Sequence, residues 1–332
     1  MSARVCALDV LFPCLAILPV VAKPFLRRAV DRVVGGSIDR RLKPRADEIR
    51  FALGVLAARQ AELLPEPTSL RDVEFKVFSQ FGEDGIIAFL TRRLAPPRTF
   101  IEVGVSDYAE SNTRFLAMKD NWRGAIFNAG TAHIDFLRSS EMAWRYSIDA
   151  VSAFITRENV NDLIRATGIE GEIGLLSIDV DGIDYWLWET IDVVAPWIVV
   201  IEFNSVFGPE HAVTVPYDPA FTASSAHWSW QYFGASLAAL HSLGRAKGYR
   251  LLGVTSEGVN AFFVREDVAS NLWTRTSAEA YVRSRVRTAR DRNGDLTYAG
   301  SDHAASLAAM ADLHVIDVET GADSTIGEIY QI

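Results

Sequence analysis

Carboxylates stand at the ends of three apolar runs in this 332-residue chain: TFIEVGVSD carries Glu102 and Asp107, GLLSIDVDGID carries Asp179, Asp181 and Asp184, and APWIVVIEFN carries Glu202 with Asn204. Side chains of this type serve two kinds of chemistry. Hard divalent cations such as Mg2+ bind through several oxygens, usually one or two carboxylates plus water and substrate oxygen, and Asp179, Asp181, Glu202 and Asn204 offer such a set. Without a metal, Asp179 has the chemistry of a general base. Glu102-x-Gly104 is a second kind of signal, in which an acid that accepts hydrogen bonds precedes a glycine that lets backbone pass close to a ligand. Upstream, Gln80, Glu83 and Asp84 crowd the segment SQFGEDG. Downstream, HWSWQYF alternates Trp228, Trp230 and Tyr232, which in an extended segment face one side of a cleft, with His227 as a candidate base near neutral pH.

The elements that must position these groups follow from the apolar pattern. Buried parallel strands read as continuous apolar runs, and ligands of open α/β sheets bind beyond the carboxyl ends of those strands. From Phe100 onward, strand-like runs alternate with helix-like segments, which predicts a mostly parallel sheet with helices on both faces. RLLGVTSEGVNAFFVRE reads as two strands turning at Glu257-Gly258, so the sheet ends in an antiparallel hairpin. Residues 46–64 have apolar spacing of a helix with Ile49, Leu53, Leu56 and Leu63 near one face, a face that must bury itself, in a homodimer or over the sheet. PEPTS reads as a linker. The expected organisation is therefore a basic and apolar N-terminal extension over 1–66, an α/β domain over 67–270 and an accessory segment over 271–332. In the last of these, AYVRSRVRTARDR reads as a basic helix, HAASLAAMA as a second helix and LHVIDV as a strand.

Taken in order, SQFGEDG, FIEVGVSDYAESNTRFL, LLSIDVDGIDYWLWE, VVIEFN, YFGASLAAL and NAFFVR resemble the FkbM-like branch of class I S-adenosylmethionine-dependent methyltransferases over about residues 70–270. The resemblance implies a Rossmann-like seven-stranded sheet with S-adenosylmethionine across the ends of its first strands. Glu102, Gly104 and Asp107 would form the cofactor turn, and Gln80 and Glu83 would approach the amino-acid end of the cofactor. The second strand of that family usually ends in an acid for the ribose hydroxyls. Here GAIFNAG offers Asn128, which makes weaker neutral contacts. The layout of Asp179 and Glu202 is similar to that of metal-dependent O-methyltransferases. The activity implied is O-methyl transfer to a hydroxyl of a sugar, glycoconjugate or other small acceptor. Two alternatives share the same residues: a binding or scaffold protein that keeps the sheet without catalysis, and a metal-assisted transferase or hydrolase.

Composition narrows the setting. Hydrophobic residues make up 49% of the chain, enough for a sizeable core, and a net charge of -9 gives no global attraction to nucleic acid. Residues 1–60 hold eleven Lys and Arg against five Asp and Glu, so a basic head precedes an acidic body. Val5 to Ala22 is apolar but is interrupted by Asp9, Pro13 and Pro19, which argues against a spanning helix and for peripheral membrane contact through residues 1–45. Cys6 and Cys14 are the only cysteines, which excludes a disulfide framework in the main domain and fits a cytoplasmic setting.

Overall fold

A computed structural model describes residues 45–63, 66–105, 108–286 and 288–332, so residues 1–44 and Asp107 lie outside the described residues. The membrane contact expected for the N-terminal segment falls there as well. Among the described residues no helix is long and apolar enough to cross a membrane. The chain divides into two compact units, Met1–Leu53 and Gly54–Ile332, and the second carries every strand below.

Among the described residues the strands are β1 Thr99–Val103, β2 Arg123–Asn128, β3 Ile148–Ser152, β4 Gly171–Ile178, β5 Val194–Glu202, β6 Val213–Thr214, β7 Tyr249–Val254, β8 Asn260–Arg265, β9 His314–Asp317 and β10 Asp323–Thr325. Seven of them form one sheet in the order β3-β2-β1-β4-β5-β8-β7. Its first five strands are parallel, while β8 runs antiparallel to both β5 and β7. The expected Rossmann-like fold with its terminal hairpin is therefore present. Gly258, at a φ of 71°, makes the turn that a side chain would strain.

The sheet is buried on both faces because adjacent residues of its apolar runs point opposite ways. Ile101, Val103, Phe127, Leu176, Ile178, Val199 and Phe263 pack on one side. Phe100, Ile126, Leu175, Ile198, Val200 and Phe262 pack on the other. Helices Glu83–Leu94 (α1), Arg114–Asp120 (α2), Asp184–Thr190 (α3) and Leu237–Ala246 (α4) are among those that complete the layers.

Three local expectations are corrected. In the helix over 45–61, Ile49, Leu53 and Leu56 are each about 60% exposed, and the buried positions are Gly54 and Ala58. Small residues win that face because a Cβ on Gly54 would lie 2.4 Å from Val77, so only a bare backbone approaches this closely. HWSWQYF is not extended: His227–Trp230 is a turn, with Trp230 in the left-handed region at φ 58°. The basic segment after the short helix Ser277–Ala280 is not helical either. Its backbone instead bonds other loops, from Arg285 N–H to Glu257 O at 3.2 Å and from Arg290 N–H to Ser229 O at 3.0 Å. The expected second helix and strand of this region are present as His303–Ala309 and β9, and β9 pairs with both β10 and β6 in a three-stranded sheet. A third core of Val213, Val215, Tyr232, Met310, Val315 and Ile326 joins the C-terminal segment to the loops around β6.

Candidate active site

Register decides which polar groups reach the carboxyl edge of the sheet. Val103 pairs with Phe127 and Ile178, and Ile178 pairs with Ile201. One residue further along, Asn128, Gly104, Asp179 and Glu202 therefore form a row across four neighbouring strands. This row borders a cavity of about 590 Å3, within the usual range for small-molecule sites. Phe127, Phe154 and Ile155 supply apolar wall beside Asn128, while Asp179, Asp181, Glu202 and Trp230 line other parts of it.

Asp179, Asp184 and Glu202 converge there, each offering a carboxylate oxygen within 4.8 Å of the others. Burial first, then Asp181 and Asp184, pushes the Asp179 carboxyl well above the usual range. Glu202 is raised in the same way by burial and then by Asp179. Burial also lifts Asp184, to about 6. Glu202 Oε2 is buried with no hydrogen-bond partner. A buried acceptor without a donor, beside two further carboxylates, is an arrangement that a bound cation would neutralise. The donor set is all oxygen, as a hard divalent ion requires.

Asp184 opens α3 without capping it: its carboxylate accepts Val180 N–H at 2.8 Å and Gly182 N–H at 3.0 Å, both in the turn before the helix. Those bonds aim the turn and leave further lone pairs free. Asp181 is exposed at the tip of the turn, at φ 54°, and burial of its carboxyl group raises its pKa. Asn204 is a correction to the metal set. Its amide donates to Gln231 O at 2.8 Å and Phe233 O at 3.0 Å, and its oxygen accepts Val206 N–H, so the side chain ties loops together.

The residues expected around the cofactor fall into distinct groups. Glu102 lies two residues short of the row on the same face of the sheet, where its carboxylate accepts Ser111 Oγ at 2.6 Å, Thr113 Oγ1 at 2.5 Å and Asn112 N–H at 2.7 Å. Glu102 thus holds the loop entering α2. Gly104 has a different reason from ligand access: at φ 94°, a Cβ there would lie 1.5 Å from the Asp179 carbonyl oxygen. The turn after β1 must be bare so that the turn after β4 can come in beside it. Asn128 remains on the cavity wall, donating to Val105 O and accepting Gly130 N–H. Glu83 is fully buried and accepts Phe81 N–H and Asn260 Nδ2 at 2.8 and 2.9 Å, which ties α1 to β8. Gln80 lines a smaller neighbouring cavity of about 120 Å3, bordered also by Asp181 and Glu202.

His227 is not part of the larger cavity's lining. Its Nδ1 shares a hydrogen bond of 2.7 Å with Ser229 Oγ, and burial together with Arg292 holds its pKa down. Sequence reasoning missed Phe221 and Thr288, which line the cavity from the insertion and the C-terminal segment. Neither has a local motif; their place follows from loops that meet only in the folded chain.

No family model matches the chain, and no curated protein matches it. The chain is similar in structure to the O-methyltransferase from Bacillus cereus in complex with SAH, at 12% identity over 64% of this chain and 88% of that one, with a TM-score of 0.37. It is also similar to the N-terminal domain of EvdMO1 with SAH bound, at 13% identity over 62% of this chain and 93% of that one, with a TM-score of 0.36. Likenesses at TM-scores this low carry no weight for the site, whose chemistry rests on the strand order and the side chains above.

Proposed function

We propose that this protein is an S-adenosylmethionine-dependent O-methyltransferase that acts on a hydroxyl of a sugar or glycoconjugate with help from a divalent cation. The observation that carries the reading is the unpartnered Glu202 Oε2 beside Asp179 and Asp184, at the carboxyl edge of a sheet ordered β3-β2-β1-β4-β5-β8-β7. The apolar wall of Phe127, Phe154 and Ile155 suits an adenine ring, and Asn128 lies where a ribose hydroxyl can be met. Asp179, Asp184 and Glu202 would hold Mg2+, which when bound lowers the pKa of a coordinated hydroxyl. The chain's own share is to fix the acceptor oxygen beside the methyl donor and to exclude water around it. Without a cation, the proton leaving the acceptor would pass to a carboxylate of the row, with Asp179, on the cavity wall, as the general base.

Isothermal titration with S-adenosylmethionine and S-adenosylhomocysteine tests the cofactor, and methyl transfer to a panel of sugars with and without EDTA tests the cation. Binding of both cofactors and loss of transfer in EDTA are expected. One observation favours the rival of a non-catalytic binding protein: Glu102 is saturated by internal donors and Asn128 is tied to backbone. Absence of binding to either cofactor would select that rival.

A further inference from the structure

We propose that the acceptor carries an anionic group, a phosphate or a carboxylate, held by Arg290 and Arg292 at the cavity mouth. This deepens the methyltransferase reading and rests on it for the word acceptor, although the anion site stands on its own observations. The Arg290 guanidinium lies 4.6 Å from the ring centre of Trp230, and Arg292 lies 4.8 Å from that of Trp228. Trp230 lines the cavity that Asp179 and Glu202 also line, and it is 41% exposed. Through Trp230, Arg290 borders the same opening as the carboxylate row, and Arg292 flanks it on Trp228, two residues from Trp230 and itself outside the lining.

Their lack of partners points to a ligand. Among the described residues Arg290 and Arg292, like Arg98 and Arg123, have no ion pair with a carboxylate, so the fold itself does not neutralise their charge. Arg290 Nε is buried without a hydrogen-bond partner, and Nη1 meets only the Gly294 carbonyl, at 3.2 Å. Stacking on an indole occupies a guanidinium's face and leaves its in-plane N–H groups to grip an oxyanion at two points. The pair is also held in place. Arg290 N–H bonds Ser229 O at 3.0 Å, and Gln231 Nε2 bonds Thr288 Oγ1 at 3.0 Å, fastening the arginine strand to the loop that carries both tryptophans. Positive charge fixed at the mouth of an acidic cavity selects a molecule with an anion at one end and a hydroxyl at the other. The cavity's volume of about 590 Å3 admits a monosaccharide bearing such a group.

The test uses the full chain and three probes: glucose 6-phosphate, glucuronate and methyl glucoside, each titrated by calorimetry with no methyl donor present. At least one anionic probe should bind about tenfold or more tighter than the neutral one, the return from one charge-assisted contact. The tighter of the two names the anion. Arg290→Gln with Arg292→Gln should erase the difference, and raising salt should weaken anionic binding to the unmodified protein, a readout that needs no variant to fold. Equal affinity for all three probes, or unchanged preference in the double variant, overturns the proposal. S-adenosylmethionine binding, titrated separately to the same proteins, reports on the cofactor reading alone.

Discussion

Glu102 is a buried glutamate and Glu202 a half-buried one, both at strand ends, and opposite substitution effects are expected of them. Glu202 has an oxygen with no donor and two carboxylates for neighbours, so its charge destabilises the metal-free chain. Glu202→Gln should raise the melting temperature in EDTA by roughly 2–4 °C, the shift that about 1 kcal/mol produces in a chain of this size class. The same variant should lose stabilisation by Mg2+ and drop methyl transfer on the order of 100-fold. Calorimetric melts with and without the cation, beside an activity assay, check both halves; a lower melting temperature in EDTA would mark Glu202 as structural. Glu102 already accepts three hydrogen bonds. Glu102→Gln turns one acceptor into a donor facing donors and should cost about 2 kcal/mol in urea unfolding. An unchanged denaturation midpoint would count against the internal role assigned to Glu102.

The strands are the elements that place these residues, and their junctions tolerate little. Gly104→Ala sets a Cβ against the Asp179 carbonyl and asks alanine to hold a φ of 94°, so the turns after β1 and β4 cannot both keep their course. A loss of about 3 kcal/mol or more is expected in chemical denaturation, with cofactor affinity falling alongside; a variant as stable as the parent would mean the two turns can separate cheaply. Those strands were readable from sequence because each is a continuous apolar run with a polar tip, and Glu257-Gly258 announced the hairpin. Roles near the row were less readable. Glu102 and Asp179 have the same kind of flank and share a face, and only the register, which leaves Glu102 two residues short of the edge, and the donors of the loop after it show that one serves a loop and the other the cavity. Two segments misled for a different reason. Arg and Val at short intervals around 282–292 fit a helix, but backbone bonds from Arg285 and Arg290 to distant loops take the place of helical ones. The alternating aromatics of 228–232 fit a strand, yet Trp230 adopts a left-handed turn and Tyr232 enters the third core. Partners far away in sequence decided both.

Across the whole molecule, buried acids set how stability responds to pH. The carboxyls of Glu83, Asp84, Glu102, Asp179, Asp181, Asp184 and Glu202 are all raised, each mainly by burial. A carboxyl raised in the folded state keeps its proton after the unfolded chain has released it, so the folded state binds more protons over that interval and stability falls as pH climbs. For Asp184 the interval runs from 3.8 to about 6, and for Asp179 and Glu202 it begins at 3.8 and 4.5 and ends well above the ordinary range. Carboxyls that are lowered, such as Asp72 and Asp267, are stabilising above their ordinary value, and that contribution disappears only at more acid pH, outside this window. The metal-free protein should therefore melt at a higher temperature near pH 5 than near pH 8. A divalent cation bound by Asp179, Asp184 and Glu202 competes with those protons, so its stabilising effect should be small at pH 5 and grow toward pH 8. Melting curves at intervals from pH 5 to pH 8, in EDTA and in excess Mg2+, measure both slopes. A cation effect that ignores pH would place the ion away from these carboxylates, and a metal-free protein that gains stability as pH rises would show that the histidines His227, His241 and His303, whose pKa values burial lowers, outweigh the raised acids.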